Sequence, residues 1–377
     1  MSLLNYYLDK GISPVNYYAN NINEHLARRK SLYDMLGMPS LAIRDSHILE
    51  VAAGSGQNSL YISGQSPKEF TIVEPNPAAL KQIKENFASS PDHYTLPKVL
   101  PLKIEEFKPL SNFDIVICEN WLGNSNDDIN ILNRISKFVS SNGILIITIL
   151  SIVGWLPNLI RYMLLRFLLT SYKGQLSYDD KFEIAFSAFE KHLNTLSSMT
   201  RSKEDWIRDN MINPYYLDQG LTLELVIRNI QANGFSVLST SPQFFSEWRW
   251  FKQLNLDPLE KNIAAVNAQC LNNFMFLDYR FSESNRPSPN FDSMKFGIIC
   301  DSILSSIQLN KNKKVMFDKI SELSSIFEVF FPSLSSCLAE TLQLLSQESI
   351  SIEEVASMEN FKNWFGRETL YLSLQRS

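Results

Sequence analysis

Apolar residues along the first 150 positions predict strands and helices in alternation. Short apolar runs of the kind found in buried strands lie at about 47–51, 70–73, 99–103, 113–118 and 144–150. Between the second and third runs, Asn76-Pro77 opens a segment in which Leu80, Ile83 and Phe87 share one helix face. Strands that alternate with helices predict an α/β fold with a mostly parallel sheet.

Helices are also predicted outside this alternation. Residues 20–38 place five apolar side chains broadly on one side of a helix: Ile22, Leu26, Leu32, Met35 and Leu36. The alternation returns with a helix at 221–235 and a strand at 236–242. Between them, residues 151–220 carry a phenylalanine-rich helical stripe that is best explained as packed core.

The patterns divide the chain into four parts. We expect an N-terminal helical segment over 1–44, and an α/β domain over 45–150 and 221–245. A helical insertion occupies 151–220, directly after strand five, and a helical C-terminal region occupies 250–377. Because ligands of α/β sheets bind outside the carboxyl ends of the strands, the insertion starts where a substrate would lie. We therefore expect it to form a cap over the site.

Composition narrows the classes of partner. The 377 residues carry a net charge of −5, which makes nucleic acid an unlikely partner because no basic field is present to hold its backbone. The four cysteines show no C-x-x-C spacing and the four histidines lie far apart, so we expect no metal site and no disulfide framework. The N-terminus shows no signal peptide pattern, and the expected location is the cytoplasm.

One apolar segment, 144–169, raises the question of a membrane span. Gly154 and Pro157 divide it into a strand and a helix, and Arg161 and Arg166 would be costly in a bilayer. We expect no span. Asn158 and the two arginines lie within one arc of the helix, so peripheral contact with a membrane surface stays open.

The stretch after strand one, "ILEVAAGSGQ" (48–57), suggests a nucleotide site. Glu50 ends the strand, Gly54 and Gly56 follow, and Glu74 ends strand two, where an acid can accept hydrogen bonds from ribose hydroxyls. The simpler alternative is a tight turn. Ser59 stands where a phosphate-binding loop needs its third glycine, and an acid suits a cationic ligand better than a pyrophosphate.

These motifs resemble those of the class I S-adenosylmethionine-dependent methyltransferases. "EVAAGSG" matches the first motif of that family with Ala52 in place of the first glycine, and the acid of the second motif is Glu74. "FD" at 113–114, Gly143 and "ANGF" at 232–235 are also similar. The resemblance implies a Rossmann-like sheet with helices on both faces. It also implies S-adenosylmethionine as the cofactor, bound by the following residues: Glu50, Ala52, Gly54, Gly56, Glu74 and Asn76.

Two further stretches are similar to protein arginine methyltransferases. In "KIEEF" (103–107), the resemblance implies that Ile104 lies against the adenine and that Glu105 binds its amine; the alternative is a solvated acidic pair. After strand four, Glu119 and Asp128 would be catalytic acids that clamp a cationic nucleophile, with Glu119 also near the cofactor and Trp121 near the substrate. Asp128 could instead simply start a helix.

The insertion offers further candidates for the methyl acceptor. Arg201, Trp206, Asn210 and Tyr215 could line a substrate pocket, although a helix end with a surface loop explains them equally well. "SEWRWFK" (246–252) poses the same choice.

Together, the motifs favour transfer of a methyl group to an unidentified small-molecule, glycan, lipid or protein acceptor. The alternatives are a cofactor-binding pseudoenzyme or interaction protein with a helical partner surface, and a dehydrogenase, against which Glu50 and Ser59 argue.

Overall fold

The structure of the protein is a computed structural model that describes residues 3–10, 22–122, 128–172, 174–197, 199–217, 221–254 and 257–377. The chain forms two compact units. Unit 1 comprises Met1–Leu150, Asp218–Gln269 and Thr369–Ser377, and unit 2 comprises Ser151–Leu217 and Cys270–Glu368.

The strands all belong to unit 1. In chain order they are β1 (His47–Val51), β2 (Glu69–Val73), β3 (Lys98–Leu100), β4 (Phe113–Cys118), β5 (Val139–Leu150), β6 (Phe235–Ser241) and β7 (Thr369–Arg376). They form one seven-stranded sheet in the order β3-β2-β1-β4-β5-β7-β6. The first five strands are parallel, and β7 runs antiparallel to both β5 and β6.

The α-helices of unit 1 lie in two parts of the sequence. Before residue 151 they are α1 (Leu3–Lys10), α2 (Ile22–Met35), α3 (Ser40–Ile43), α4 (Ser59–Ser63), α5 (Pro77–Ala88) and α6 (Asp128–Ser136). After residue 217 they are α10 (Leu223–Ile230) and α11 (Pro258–Leu271), and α11 ends just beyond unit 1. Asn76 caps α5 as expected, because its side chain accepts a hydrogen bond from the Ala78 N–H (3.0 Å).

The α-helices of unit 2 occur in two runs. They are α7 (Ile152–Thr170), α8 (Tyr178–Leu193) and α9 (Lys203–Ile207), and then α12 (Asn273–Phe276), α13 (Ser293–Gln308), α14 (Lys313–Phe330), α15 (Pro332–Ser346) and α16 (Ile352–Ala356). The predicted insertion and most of the predicted C-terminal region therefore belong to one unit.

The α/β class with a mostly parallel sheet is confirmed, and the region after 250 is largely helical. The prediction of a helical region to residue 377 is wrong at its end, because 369–376 form β7. Leu370, Leu372 and Leu374 alternate with polar residues and are fully buried, which is the period of a strand. The predicted strand three is also shorter than expected, and β5 begins five residues earlier.

Helix α2 turns the predicted side inward only in part: Leu36, just after the helix, is fully buried, and Leu26 and Leu32 pack against the core of unit 1. Ile22 and Met35 are exposed, whereas His25, Arg29 and Tyr33 are the buried residues of the helix. These three recur every four residues and so lie on one face. Tyr33 packs into the core of unit 1 and stacks on Tyr61 with ring centroids 5.4 Å apart.

In unit 2, helix α7 is the apolar segment that raised the question of a membrane span. Among the described helices, it alone is long and apolar enough to cross a bilayer, and 72% of its most apolar window is buried inside the protein. Two of the three residues of the expected polar arc, Asn158 and Arg161, are almost inaccessible, and Arg166 is half-buried. Buried core helices can have the same length and apolar composition as membrane spans, so these two properties do not make α7 a span.

Candidate functional site

The loop after β1 has the backbone conformation that its glycines predict. Ala52, Gly54 and Gly56 all adopt positive φ angles, of 56°, 58° and 74°. A Cβ at Gly56 would lie 2.8 Å from the Ile83 side chain, so this glycine lets the loop pack on α5. A Cβ at Gly54 would meet nothing within 4 Å, so the backbone there borders open space that a ligand could enter.

Glu74 joins this loop to the end of β2. One of its carboxylate oxygens accepts a hydrogen bond from the Gly54 N–H (3.0 Å) and the other from the Asn76 N–H (2.9 Å). Each oxygen keeps a second lone pair that could accept from a ribose hydroxyl. Burial raises the pKa of Glu74 to about 6 against the lowering effect of these two bonds.

Glu50 is buried beside the same loop with half of its carboxylate unpartnered. It is 6% exposed, and its Oε2 has no hydrogen-bond partner among the described residues. Burial, together with the charges of Glu119 and Glu74, raises the pKa of Glu50 to about 7 against the lowering effects of Ser59 and Arg29. A buried anion of this kind is stabilised by a cationic ligand.

Glu119, directly after β4, is held by two side chains of α2. The Arg29 Nη2 group donates to both carboxylate oxygens (2.6 and 2.7 Å), and the Tyr33 hydroxyl donates to Oε1 (2.8 Å). Both members of the ion pair are 8% exposed at their side chains. The Arg29 Nε–H has no partner among the described residues. Since its charge is compensated, Glu119 is a poor candidate for a general base.

Asn120 lies next to this ion pair in a left-handed conformation (φ 54°). Its backbone N–H donates to the Thr148 hydroxyl of β5 (3.0 Å), and its side-chain amide donates to the Tyr371 hydroxyl of β7 (3.4 Å). The last strand of the chain thus adds a hydroxyl to the carboxyl edge of the sheet. Sequence reasoning missed Arg29, Tyr33, Thr148 and Tyr371 as site residues.

The residues predicted to bind adenine separate into a buried and an exposed one. Ile104 is buried, and its carbonyl accepts a hydrogen bond from Arg134 Nε (3.0 Å). Glu105 and Glu106 are exposed, as the alternative of a solvated acidic pair expects. The contact of Ile104 and Glu105 with adenine stays a prediction.

Asp128 is the first residue of α6 and is buried, so it does start a helix. Trp121 is half-buried. The residues between them, 123–127, which include part of the arginine methyltransferase-like motif, lie outside the described residues. The catalytic role of Asp128 and the substrate role of Trp121 stay predictions.

The candidate acceptor residues of the insertion lie together in unit 2, around α9 and the π-helical turn Arg208–Ile212 that follows it. Arg201 forms an ion pair with Asp209, and the Asn210 amide donates to the Trp206 carbonyl (2.9 Å). Trp206 is buried, and the Tyr215 N–H donates to the Asn213 side chain (3.0 Å). These residues have structural partners, and their substrate role stays a prediction.

The described residues contain no cluster of side chains suited to a metal ion. Within them, no group of three or more His, Cys, Asp or Glu side chains could hold a metal ion.

One family model matches part of the chain. Residues 49–145 match the family model described as a methyltransferase domain. No curated protein matches the chain. The matched range contains the β1 loop, Glu74 and Glu119, so this part of the chain is similar to a methyltransferase domain.

Three solved structures illustrate the similarity. PKMT2 from Rickettsia typhi, in complex with AdoHcy, is 16% identical over 66% of this chain and 49% of its own, with a TM-score of 0.45. The N-methyltransferase NodS from Bradyrhizobium japonicum, with S-adenosyl-L-homocysteine, is 14% identical over 39% and 74% (TM-score 0.31). Magnesium protoporphyrin IX methyltransferase from Synechocystis PCC 6803, with bound SAM, is 11% identical over 39% and 74% (TM-score 0.32).

The chain spans about half the length of the first solved structures that it matches, 49% in each of three cases. These similarities concern the fold and leave the acceptor open.

Proposed function

We propose that the protein is an S-adenosylmethionine-dependent methyltransferase. The observation that carries the proposal is a pair of buried side-chain atoms of opposite charge, Glu50 Oε2 on β1, just before the open glycine loop, and Arg29 Nε on α2. Neither atom has a hydrogen-bond partner among the described residues. Buried polar atoms are seldom left unpaired unless a ligand or water satisfies them.

The chemistry of the cofactor fits these atoms. The methionine end of S-adenosylmethionine carries an ammonium and a carboxylate, which are complementary to Glu50 and to Arg29. The remaining lone pairs of Glu74 suit ribose hydroxyls. An NAD pyrophosphate would instead place negative charge beside two buried carboxylates, so we expect NAD to bind poorly.

The bound cofactor would supply an electrophilic methyl group on a sulfonium. The residues of this chain would act by orientation and electrostatics, with Glu119 and Arg29 fixing the wall of the site through their hydrogen bonds. The acceptor lone pair would form the new bond as the carbon–sulfur bond breaks, and an acceptor proton would leave to solvent or to a base.

The acceptor and the place of reaction belong to the proposal. The acidic balance of the chain favours a small molecule, glycan, lipid or protein over nucleic acid as the methyl acceptor. The proposed location of the reaction is the cytoplasm. We also propose that residues 151–220 act as the cap that selects the acceptor. Trp206→Ala and Asn210→Ala should then leave cofactor affinity near wild type and reduce methyl transfer several-fold. Unchanged transfer in both variants would remove the cap from the proposal.

One observation favours a second candidate, a cofactor-binding pseudoenzyme. Glu119 is predicted to be catalytic, yet Arg29 and Tyr33 already occupy its carboxylate. Such a protein would bind the cofactor and transfer nothing.

Two measurements test the proposal. Calorimetry should show binding of S-adenosylmethionine and of its demethylated product, with weaker binding to Glu50→Gln; binding of NAD but not of S-adenosylmethionine would overturn it. Incubation of the protein with S-adenosylmethionine labelled in its methyl group and a cell extract should transfer label to an extract component. Cofactor binding without any transfer would favour the pseudoenzyme.

A further inference from the structure

An exposed apolar patch lies in unit 1 beyond the sheet. We define the apolar patch by its six exposed side chains: Trp248, Trp250, Phe251, Leu254, Leu259 and Ile263. Trp248 is 91% exposed, Phe251 69% and Trp250 57%. Single exposed apolar residues are normal, but a cluster that includes two tryptophans marks an interaction surface.

The members of the apolar patch are neighbours in the fold. Four of them fall within seven residues, and Leu259 and Ile263 are one turn apart on α11. A groove of about 530 Å³ lies where residues 245–249 meet α11, and its lining is mixed: Phe245, Trp248 and Ala264 are apolar, and Ser246, Glu247, Arg249 and Glu260 are polar. Trp248 therefore lies next to the helix that carries Leu259 and Ile263.

Three of the charged side chains around the patch, Glu247, Arg249 and Glu260, are paired with one another. Arg249 donates to Glu247 through Nη2 (2.7 Å) and Nε (2.9 Å), and to Glu260 through Nη1 (3.3 Å). The segment 246–263 has three acidic and three basic residues and so no net charge, in a chain of net charge −5. The patch therefore carries no net charge that would favour an anionic or a cationic partner.

Lys252 contributes an amphipathic side chain to the same surface. Its ammonium lies 4.8 Å from the ring centroid of Trp250 and 5.6 Å from that of Phe251. A lysine on aromatic rings can keep its stem in an apolar layer while its charge reaches water or phosphate. Tryptophan side chains have the same preference for the boundary between water and hydrocarbon.

We propose that the apolar patch docks on the interfacial layer of a zwitterionic phospholipid bilayer. The mixture of tryptophan, phenylalanine, leucine and one lysine matches the polarity of that layer, and the absence of net charge matches zwitterionic headgroups. Binding is driven by buried apolar area, and it is therefore insensitive to salt. The proposed docking does not depend on methyl transfer.

Vesicle sedimentation tests the proposal with the full chain and no cofactor. The probe is phosphatidylcholine vesicles at 0.1 M and 0.5 M NaCl. Wild-type protein should sediment with the vesicles to the same extent at both salt concentrations. The double variant Trp248→Ala/Phe251→Ala should partition at least tenfold less, a loss of about 1.4 kcal/mol. A matched control, Leu41→Ala/Leu110→Ala, removes two exposed leucines elsewhere and should bind as wild type does.

Each other outcome overturns the proposal. Absence of wild-type sedimentation removes it outright. Binding only to vesicles that contain phosphatidylserine, with release at 0.5 M NaCl, would mean that charge drives the contact. A dimer that dissociates in the double variant, without vesicle binding, would make the patch an interface between two copies. Because both truncated side chains are exposed, an unchanged thermal midpoint should confirm that the variant is folded.

Discussion

Each unit of the molecule buries an arginine, and the two arginines have different surroundings. Arg29 in unit 1 binds a carboxylate and a phenol, beside the second buried carboxylate of Glu50. Arg161 in unit 2 is 0% exposed, and it donates hydrogen bonds to the Asn158 side chain (3.2 Å) and to the carbonyls of Phe361 (3.3 Å) and Lys362 (3.5 Å). Its guanidinium also lies 3.8 Å from the ring centroid of Phe365.

Burial alone does not distinguish a functional cluster from a structural one. Burial lowers the pKa of Arg161 to about 9 and that of the nearby buried His192 to about 3, shifts as large as those at Glu50 and Glu74. Both arginines even have an Nε without a partner in the described ranges. What differs is the surroundings, since carboxylates and an open glycine loop accompany Arg29, whereas aromatic rings and backbone carbonyls enclose Arg161.

The largest expected effect separates the two arginines by stability. Arg161→Ala should lower the free energy of unfolding by about 3 kcal/mol or more, because it leaves a cavity and buried carbonyls without donors. Cofactor affinity of the folded variant should stay within about twofold of wild type. Arg166→Ala is the control on the same helix, where the side chain is only half-buried, and should cost about 1 kcal/mol. Urea denaturation measures both, and equal losses would contradict the distinction.

The next effect concerns the site in unit 1. Glu74→Ala should weaken S-adenosylmethionine binding tenfold or more, because hydrogen bonds to a charged group contribute about 1.5–3 kcal/mol each. Glu69→Ala is a matched control, since it removes an exposed glutamate from the start of the same strand. Calorimetry of the folded variants gives both affinities. An unchanged affinity in Glu74→Ala would mean that this carboxylate serves only to join the loops at Gly54 and Asn76.

The raised pKa values predict opposite pH trends for stability and for binding. Glu50 and Glu74 have folded-state pKa values of about 7 and 6, above the ordinary 4.5, so the folded protein holds these protons more tightly than the unfolded chain. Their contribution to stability is therefore present below about pH 4.5 and is lost as the pH rises through 6 to 7. Unfolding of the ligand-free protein should require about 4 kcal/mol less at pH 8 than at pH 5.

Cofactor binding should follow the other direction, because Glu50 must lose its proton to pair with an ammonium. Affinity for S-adenosylmethionine should rise about tenfold from pH 6 to pH 8. In Glu50→Gln this rise should largely disappear, while Glu69→Ala should retain it. A wild-type affinity that is flat over this range would argue that Glu50 does not face the ammonium.

The parts of this site that sequence could predict are the local ones. The turn glycines, Glu74 and the cap at Asn76 lie within 27 residues, and their roles follow from strand ends and backbone conformation. The carboxyl ends of β1, β2 and β4 must meet because adjacent parallel strands share an edge. Short-range geometry therefore sufficed for the loop.

The missed residues depend on contacts between distant positions. Arg29 lies 90 residues from Glu119, and Tyr371 lies 251 from Asn120. The apolar pattern of α2 correctly placed Leu26, Leu32 and Leu36 toward the core. It did not reveal that Arg29 is buried on the same side, where an ion pair with Glu119 stabilises it. For β7, alternating leucines were a usable signal, but they follow a long helical region that suggested more helix.

The smallest expected effect concerns Ala52, which has a positive φ angle and stands where the related motif has glycine. Alanine in the left-handed region costs about 1–2 kcal/mol, and glycine loses about 0.4–1 kcal/mol more than alanine through the entropy of the unfolded chain. Ala52→Gly should therefore raise the free energy of unfolding by less than about 1 kcal/mol and leave cofactor affinity within about twofold. The neighbouring Ala53 is a control without a positive φ, and Ala53→Gly should destabilise by about 0.5–1 kcal/mol. The two substitutions are chemically identical and adjacent, so opposite signs in urea denaturation would show that backbone conformation decides the residue at 52. Equal losses at both positions would instead mean that the Ala52 methyl group contributes contacts that outweigh its backbone strain.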